Sequence, residues 1–340
     1  MAKNTFGYEL ECFGLTPQVI QLTINSIEGA QLMTPTVALR EELSRRSGDN
    51  IDLAICLDSV NHESRRLFGY MNSKYLPLRC KENGLEQMWI AASDGTIRND
   101  SGRGMAHEII SPLLYGLEGL LIASRVMKAL VRAGARVNIS CGTHVTMGVK
   151  NCNARIARMS TKKQNKCAGK IVEAYLYFHN VFDSLVSASR RYGSPSSSNA
   201  YTMNRPNVYT TYGMGTGEHY NRMVSSGVGR GTVNIGHFAS KGVIEFRQHN
   251  GSLNGLKMMA WTQLLTKLIS WSINENGVNF GKDLRTFEPS FSGLMEMLNV
   301  GSDLRTTLES RVASTRGFVN SNHHDNMMVA HRAFIGGIEN

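Results

Sequence analysis

The stretch that decides the fold is FGYELECF, residues 6–13. Tyr8, Leu10 and Cys12 fall on one face of the alternating pattern, whereas Glu9 and Glu11 fall on the other. A period of two residues is typical of a half-buried β-strand. We therefore predict a strand here that carries two carboxylates on a single face.

Other strand and helix patterns follow along the whole chain. Strand-like patterns occupy residues 88–92, 108–111, 137–149, 232–235 and 243–247. Helical patterns are strongest at residues 113–133 and 256–273, and weaker at 17–32, 36–46 and 171–192. Strands separated by helices predict an α+β fold around a largely antiparallel sheet.

Composition excludes several classes of protein. The chain has 340 residues, of which 41% are hydrophobic and 19% are charged. These values exclude a disordered tail protein, a collagen and a coiled coil. The formal net charge of +10 favours anionic partners such as nucleotides, nucleic acids or acidic surfaces, without choosing among them.

Cysteine usage and hydropathy predict a soluble protein of the cytoplasm. None of the six cysteines forms a Cys-x-x-Cys pair, which favours free thiols in a reducing compartment. No signal peptide is expected, because Glu9 and Glu11 interrupt the first apolar stretch. The most apolar long segment, residues 113–131, contains Glu118, Arg125 and Lys128, so we expect an amphipathic helix rather than a membrane span.

Ionisable side chains recur at strand positions that would ordinarily be apolar or simply hydrated. The candidate ligands are Glu9, Glu11, Glu108, His144 and Glu245. In one cleft the four carboxylates would repel one another unless divalent cations were bound. A ligand set of carboxylates with one imidazole suits Mg²⁺ or Mn²⁺. Arg247, on the same strand face as Glu245, would then supply a fixed positive charge for a phosphoryl group.

Each candidate also has an ordinary structural interpretation. Glu9 and Glu11 could be the hydrated face of an edge strand, and Glu245 with Arg247 could be an ion pair within the sheet. His144 could be a hydrogen-bonded core histidine. These residues lie far apart in the sequence, so their convergence is a hypothesis.

The order of these segments resembles that of the amidoligases, carboxylate–amine ligases that share the fold of glutamine synthetase and glutamate–cysteine ligase. The matching segments are residues 6–11, 89–96, 108–113, 137–145 and 243–247. The resemblance implies a curved, largely antiparallel sheet that lines an active-site cleft, with helices packed on its other face. It also makes a phage origin, and hence a host cytoplasm, plausible.

The resemblance divides the chain into two parts. Residues 1–275 would form the catalytic domain, with a basic insertion at 150–170 and loops at 194–231. Residues 276–340 would form a polar, basic extension packed on this domain or trailing it.

The resemblance also assigns roles to single residues. Glu11 and Glu108 would hold one Mg²⁺, and Glu9, His144 and Glu245 would hold the ion that bridges the ATP phosphates. Nucleotide contacts fall to Arg230, Asn234 and Arg247, of which Arg247 would stabilise the transferring γ-phosphoryl group. Substrate contacts fall to Asp94, Ser111 and Arg190. One departure is Thr146, which stands where the family usually has a second histidine.

The implied reaction consumes ATP and joins a carboxylate to an amine through an acyl phosphate. The two substrates could be amino acids, peptides, polyamines or protein side chains, and a homo-oligomer is conceivable from related enzymes. A lid that excludes water is expected at residues 213–231, whose glycines equally fit a plain surface loop.

Two other functions compete with the ligase. The seven Lys and Arg residues at 150–170 could bind nucleic acid through its phosphates. No aromatic residue lies between positions 150 and 174 to stack on bases. A solvated basic loop explains the same seven charges equally well. Alternatively, the chain could be a structural or binding protein that keeps the ligase scaffold without turnover. The full set of candidate ligands and Arg247 argues against that last alternative.

Overall fold

The computed structural model describes residues 5–32, 88–150, 154–191, 232–273 and 284–315. The chain divides into two compact units. The first, here called the N-terminal unit, comprises Gly7–Cys141 and Gly251–Gly255. The second, the C-terminal unit, comprises Met1–Phe6, Gly142–Asn250 and Leu256–Asn340.

The N-terminal unit contains four strands and two helices among its described residues. In chain order these are β1 (Thr5–Leu15, in this unit from Gly7 onward), α1 (Pro17–Asn25), β2 (Ile90–Ser93), β3 (Met105–Ile110), β4 (Leu114–Tyr115) and α2 (Gly116–Arg132). Strand β3 pairs antiparallel with β2 on one side and with β1 on the other, and β4 also pairs with β1.

Local sequence explains where these elements begin and end. The Thr16 hydroxyl accepts a hydrogen bond from the Val19 amide, and Pro17 occupies the first turn, so α1 starts with a side-chain cap. Gly134, at φ +106°, follows the end of α2, as the sequence predicts. In β1, Tyr8, Leu10 and Cys12 are all buried, which confirms the predicted apolar face.

The C-terminal unit contains a second antiparallel group of strands and most of the helices. Its strands are β5 (Thr143–Gly148), β6 (Val233–Asn234) and β7 (Val243–Phe246), with β7 paired to both others. Its helices are α3 (Ala154–Ala157), α4 (Thr161–Tyr177), α5 (His179–Ser184), α6 (Phe238–Lys241), α7 (Gly255–Ile273), α8 (Phe291–Met297) and α9 (Ser302–Thr315). Two short 3₁₀ helices cover Ala188–Arg190 and Leu284–Thr286.

Aromatic side chains form much of the core of the C-terminal unit. The rings of Tyr175 and Phe182 stack with their centroids 3.9 Å apart, and Trp261 meets Phe182 edge to face. The predicted inner face of α7 is confirmed, because Trp261, Leu264, Leu265 and Leu268 are all buried. Helix α7 therefore anchors this unit as its sequence pattern indicates.

The α+β class with antiparallel strand pairing is confirmed, whereas several boundaries differ from prediction. The strand expected at residues 137–149 begins only at Thr143, because the Asn138 side chain accepts the Ser140 amide and forms a turn. Most of residues 154–177 form α3 and α4, so the helix expected at 171–192 starts earlier, at Thr161, and ends at Tyr177.

Some predicted features lie outside the described residues. These are the helix at 36–46, the loops at 194–231 with the lid candidate at 213–231, and much of the region 276–340. Within the part of the chain that the structure describes, no helix is both long enough and apolar enough to span a bilayer.

Candidate functional site

Carboxylates from two adjacent strands come together in the N-terminal unit. Glu11 on β1 is the register partner of Glu108 on β3, and both side chains are buried. Glu9 lies two residues before Glu11 and therefore on the same face of β1. Carboxylate oxygens of Glu9 and Glu108 lie within 4.8 Å of each other. The antiparallel register thus gathers three of the predicted ligands, and such a set of oxygen donors suits a hard divalent cation.

Two predicted substrate residues of this unit are engaged in local structure. The Ser111 hydroxyl accepts the Tyr8 amide hydrogen at 2.8 Å and donates to the Pro112 carbonyl, also at 2.8 Å. Asp94 accepts hydrogen bonds from the amide and hydroxyl of Thr96 at 2.8 and 2.7 Å. Ser111 therefore joins β1 to the end of β3, and Asp94 closes the turn after β2.

Glu245 is the centre of a polar cluster in the C-terminal unit. The Asn234 side-chain amide donates to its Oε2 at 2.7 Å, and Arg247 Nη1 donates to its Oε1. His144 Nδ1 lies 3.5 Å from the same Oε1. Neighbouring strands place these groups, because Asn234 on β6 is the register partner of Glu245 on β7. Four predicted residues, Asn234, His144, Glu245 and Arg247, are thus brought together. The ion pair between Glu245 and Arg247 is also the one that the ordinary structural interpretation of these two residues predicts.

The position of the missing second histidine is also in this cluster. Thr146 on β5 is the register partner of Glu245 on β7. A histidine at this position would lie directly across the ladder from that carboxylate. Thr146, a short hydroxyl side chain, therefore lies next to Glu245 at the position where the resemblance led us to expect an imidazole.

Arg190, a predicted substrate residue, is fully buried and lies beside the same cluster. A Cβ atom built on Gly142 would be 3.1 Å from His144 Nε2 and 3.2 Å from Arg190 Nη2. Both the imidazole and the guanidinium therefore approach the bare Cα of Gly142, and a larger residue at this position would require them to shift by a few tenths of an ångström. In the sequence Gly142 only interrupts a strand pattern, so its role in the site was missed.

A further histidine among cationic side chains was also missed. His249 is buried, and its Nδ1 lies 2.7 Å from the Asn250 carbonyl, to which it donates when neutral. Burial and, to a smaller extent, the charges of Arg311, Lys257 and Arg190 lower the pKa of His249 to about 4, although the hydrogen bond to Asn250 acts in the opposite direction. Burial, and then the charge of Arg311, also lower the pKa of Lys257. In the sequence, the one signal for His249 is its position two residues after Arg247, at the end of the predicted strand.

The basic segment at 150–170 is partly committed to packing. Lys150 Nζ donates to the Ala239 carbonyl at 3.1 Å and lies over the Phe238 ring, and burial lowers its pKa. Lys170 is buried and lies over the Trp271 ring. Arg158 and Lys163 are exposed. Nucleic-acid binding through this segment stays a prediction, and fewer of its charges are available than the sequence suggested.

Arg230, the predicted phosphate contact, lies outside the described residues. Apart from Asp94 and Ser111, the other predicted residues form two groups, one in each unit: Glu9, Glu11 and Glu108 in the first, and Asn234, His144, Glu245, Arg247 and Arg190 in the second.

A family model with the description "Putative amidoligase enzyme" matches residues 2–269. No curated protein matches the chain significantly. The family match covers well over half of the sequence and includes every predicted site residue. The chain therefore belongs to the amidoligase family.

Proposed function

We propose that the protein is an ATP-dependent carboxylate–amine ligase that forms an amide or isopeptide bond through an acyl phosphate. Membership of the amidoligase family supports a ligase. The observation that carries the finer proposal is the pairing of Glu11 with Glu108, with a Glu9 oxygen within 4.8 Å of Glu108. Acidic side chains held this close on two adjacent strands favour a divalent cation, and ATP enters phosphoryl transfer as a complex with such a cation.

The donor set fits Mg²⁺ or Mn²⁺, because carboxylate oxygens are hard ligands and one imidazole is tolerated. We assign Glu11 and Glu108 to one ion, and Glu9, His144 and Glu245 to the other, as the family resemblance implies. When bound, the ions would neutralise charge on the ATP phosphates.

The residues around Glu245 orient the groups that would meet the nucleotide. Asn234 fixes Oε2 of Glu245, while Arg247 is held by Oε1. An arginine held in this way keeps its guanidinium in one place, where its positive charge can stabilise the γ-phosphoryl group as charge moves onto it. Arg230 and Asn234 complete the proposed nucleotide contacts, and Asp94, Ser111 and Arg190 the proposed substrate contacts.

The proposed chemistry balances in two steps. A carboxylate oxygen of the first substrate forms a bond to the γ-phosphorus, and the bond from that phosphorus to the β–γ bridging oxygen breaks, which releases ADP. The amine nitrogen of the second substrate then bonds to the acyl carbon, and phosphate leaves with the original carboxylate oxygen. The amine loses one proton to solvent or a nearby base. The chain contributes positioning and charge neutralisation.

A chemical trap tests this proposal without knowledge of the amine. Hydroxylamine converts an acyl phosphate to a stable hydroxamate, so the protein with ATP, Mg²⁺ and pools of amino acids or peptides should yield hydroxamate and ADP in equal amounts. Glu245→Gln and Arg247→Ala should abolish both products while the protein stays soluble and folded. Glu309→Gln, an exposed position on α9, is the matched control and should behave as the wild type. Hydroxamate from the Glu245→Gln protein at the wild-type rate would refute the site assignment.

The proposal includes a glutamine synthetase-like fold and action in the cytoplasm. The competing proposal, nucleic-acid binding through residues 150–170, predicts an affinity that falls steeply with salt concentration. A wild-type protein that gives no hydroxamate but binds nucleic acid in this salt-dependent way would favour that alternative.

A further inference from the structure

Helix α9 contacts the segment that carries Arg190, although the family match ends at residue 269. Arg311 Nε donates to the Leu185 carbonyl at 2.9 Å, and the Thr315 hydroxyl donates to the Ser184 carbonyl. In the opposite direction, Arg191 Nη2 donates to the Thr315 carbonyl at 3.0 Å. The last turn of α9 is therefore hydrogen-bonded to both ends of residues 184–191.

Asn250 connects Arg311 to the cluster around Glu245. Its side-chain oxygen accepts from Arg311 Nη2 at 3.4 Å and from the Ser187 amide at 3.2 Å. Ser187 precedes the 3₁₀ helix Ala188–Arg190, and its carbonyl accepts the Arg190 amide at 2.9 Å. The position of Arg190 thus depends on Asn250.

The same residue also borders β5. Asn250 forms a β-bridge with Gly142, and the carbonyl of the preceding residue, His249, accepts the Thr143 amide at 3.0 Å. His144 is the next residue along β5. Short hydrogen-bonded paths therefore run from Arg311 through Asn250 to Arg190 and to His144, whose side chains both lie against Gly142.

We propose that Arg311 is a positioning residue of the ligase site. By holding Asn250 and the carbonyl of Leu185 with one rigid guanidinium, it keeps Arg190 and His144 at their places beside Gly142. This inference rests on the proposed function, because it assigns Arg311 to the geometry of the proposed metal and substrate residues. It adds to the site a residue from outside the matched family region.

The rest of α9 distinguishes positioning from general packing. Of its side chains only Leu308 and Thr315 are buried, so the helix adds little apolar burial to the core. Arg305 on the same helix offers a matched control, because it is solvent-exposed and forms an i,i+4 pair with Glu309 at 3.0 Å. Loss of Arg305 removes one positive charge from α9, as does loss of Arg311, without touching Asn250 or Leu185.

The experiment compares full-length wild type, Arg311→Met, Arg311→Lys and Arg305→Met. Titration with Mn²⁺ should show about fivefold weaker binding in Arg311→Met, because even direct outer partners of metal ligands change affinity by about 10- to 100-fold and Arg311 acts one layer farther out. In Arg311→Lys a single ammonium group can replace only part of the two-pronged guanidinium contact, so its Mn²⁺ affinity should lie between those of the wild type and Arg311→Met. The Mn²⁺ affinity of Arg305→Met should match that of the wild type. Hydrogen exchange should become faster at the Ser187 and Thr143 amides of Arg311→Met, while the β1–β3 amides stay unchanged.

The outcomes separate the two proposals. If the wild type binds Mn²⁺ and Arg311→Met binds it with equal affinity, the positioning role of Arg311 is overturned and the proposed function still stands. Failure of the wild type to bind Mn²⁺, alone or with an ATP analogue, would overturn the proposed function and the inference with it. Exchange that accelerates equally in β1–β3 would show a merely structural role. If Arg311→Met does not fold, Arg311→Lys carries the same comparison against Arg305→Lys.

Discussion

Acidification should weaken the C-terminal unit through His249. The ordinary pKa of histidine is 6.5, and burial lowers that of His249 to about 4, so the native side chain stays neutral well below the pH at which the unfolded chain becomes protonated. Above pH 6.5 both states are neutral and the residue makes no pH-dependent contribution. Between pH 6.5 and 4 the unfolded state binds the extra proton, and the free energy of unfolding falls by about 3 kcal/mol in total, at about 1.4 kcal/mol per pH unit.

The assay is urea unfolding of the wild type and of His249→Asn across this range. Asparagine retains a donor for the Asn250 carbonyl and cannot titrate. The variant should be less stable near neutral pH because it leaves a cavity, but its stability should decline less on acidification. We expect the difference between the two proteins to change by about 2.5 kcal/mol between pH 7.5 and about pH 4.5. Parallel pH profiles for the two proteins would refute the neutral, buried state of His249.

Two further substitutions test the cluster around Glu245. Gly142→Ala places a methyl group 3.1 Å from His144 Nε2 and 3.2 Å from Arg190 Nη2, so both side chains must shift by a few tenths of an ångström. We expect the Mn²⁺ affinity to fall by about tenfold in a titration. An unchanged Mn²⁺ affinity would contradict the close approach of these two side chains to Gly142. Asn234→Ala removes the 2.7 Å hydrogen bond to the Glu245 carboxylate. The free energy of unfolding, measured by urea unfolding, should fall by about 1.5–3 kcal/mol. An unchanged free energy of unfolding would show that this bond does not hold the carboxylate.

The strand with its carboxylate face was predictable because its signal is local. Alternation in residues 6–13 fixes which side chains share a face, and the buried Leu10 and the shared face of Glu9 and Glu11 follow from it. The pairing of Glu11 with Glu108 was not predictable in the same way. Register between strands so distant in sequence is set by packing of the whole sheet, so only the family resemblance linked the two residues beforehand.

Turn chemistry and helix propensity explain the wrong boundaries. Val137 and Ile139 suggested a strand, but both are exposed, because the Asn138 side chain caps a turn that removes these residues from the ladder. The helix predicted from residue 171 begins earlier, at Thr161, because the lysine, glutamine and alanine residues before position 171 favour helix.

The roles of Gly142, His249 and Arg311 depend on tertiary contacts that carry no local pattern. Two side chains approach the Cα of Gly142, and the pKa of His249 follows from burial among cations of distant segments. Arg311 lies in a region that composition alone described as polar and irregular. A sequence predicts which residue types are available, whereas the contacts decide which of them act together.

The most direct test of the ligase site is thermal unfolding with Mg²⁺ and a non-hydrolysable ATP analogue, each alone and together. A ligand that binds only the native state at 100 times its dissociation constant adds about 2.7 kcal/mol of stability. We predict a clear rise in Tm that requires both components, disappears in Glu245→Gln and persists in the Glu309→Gln control. No rise in the wild type, or an equal rise in Glu245→Gln, would contradict the proposed site.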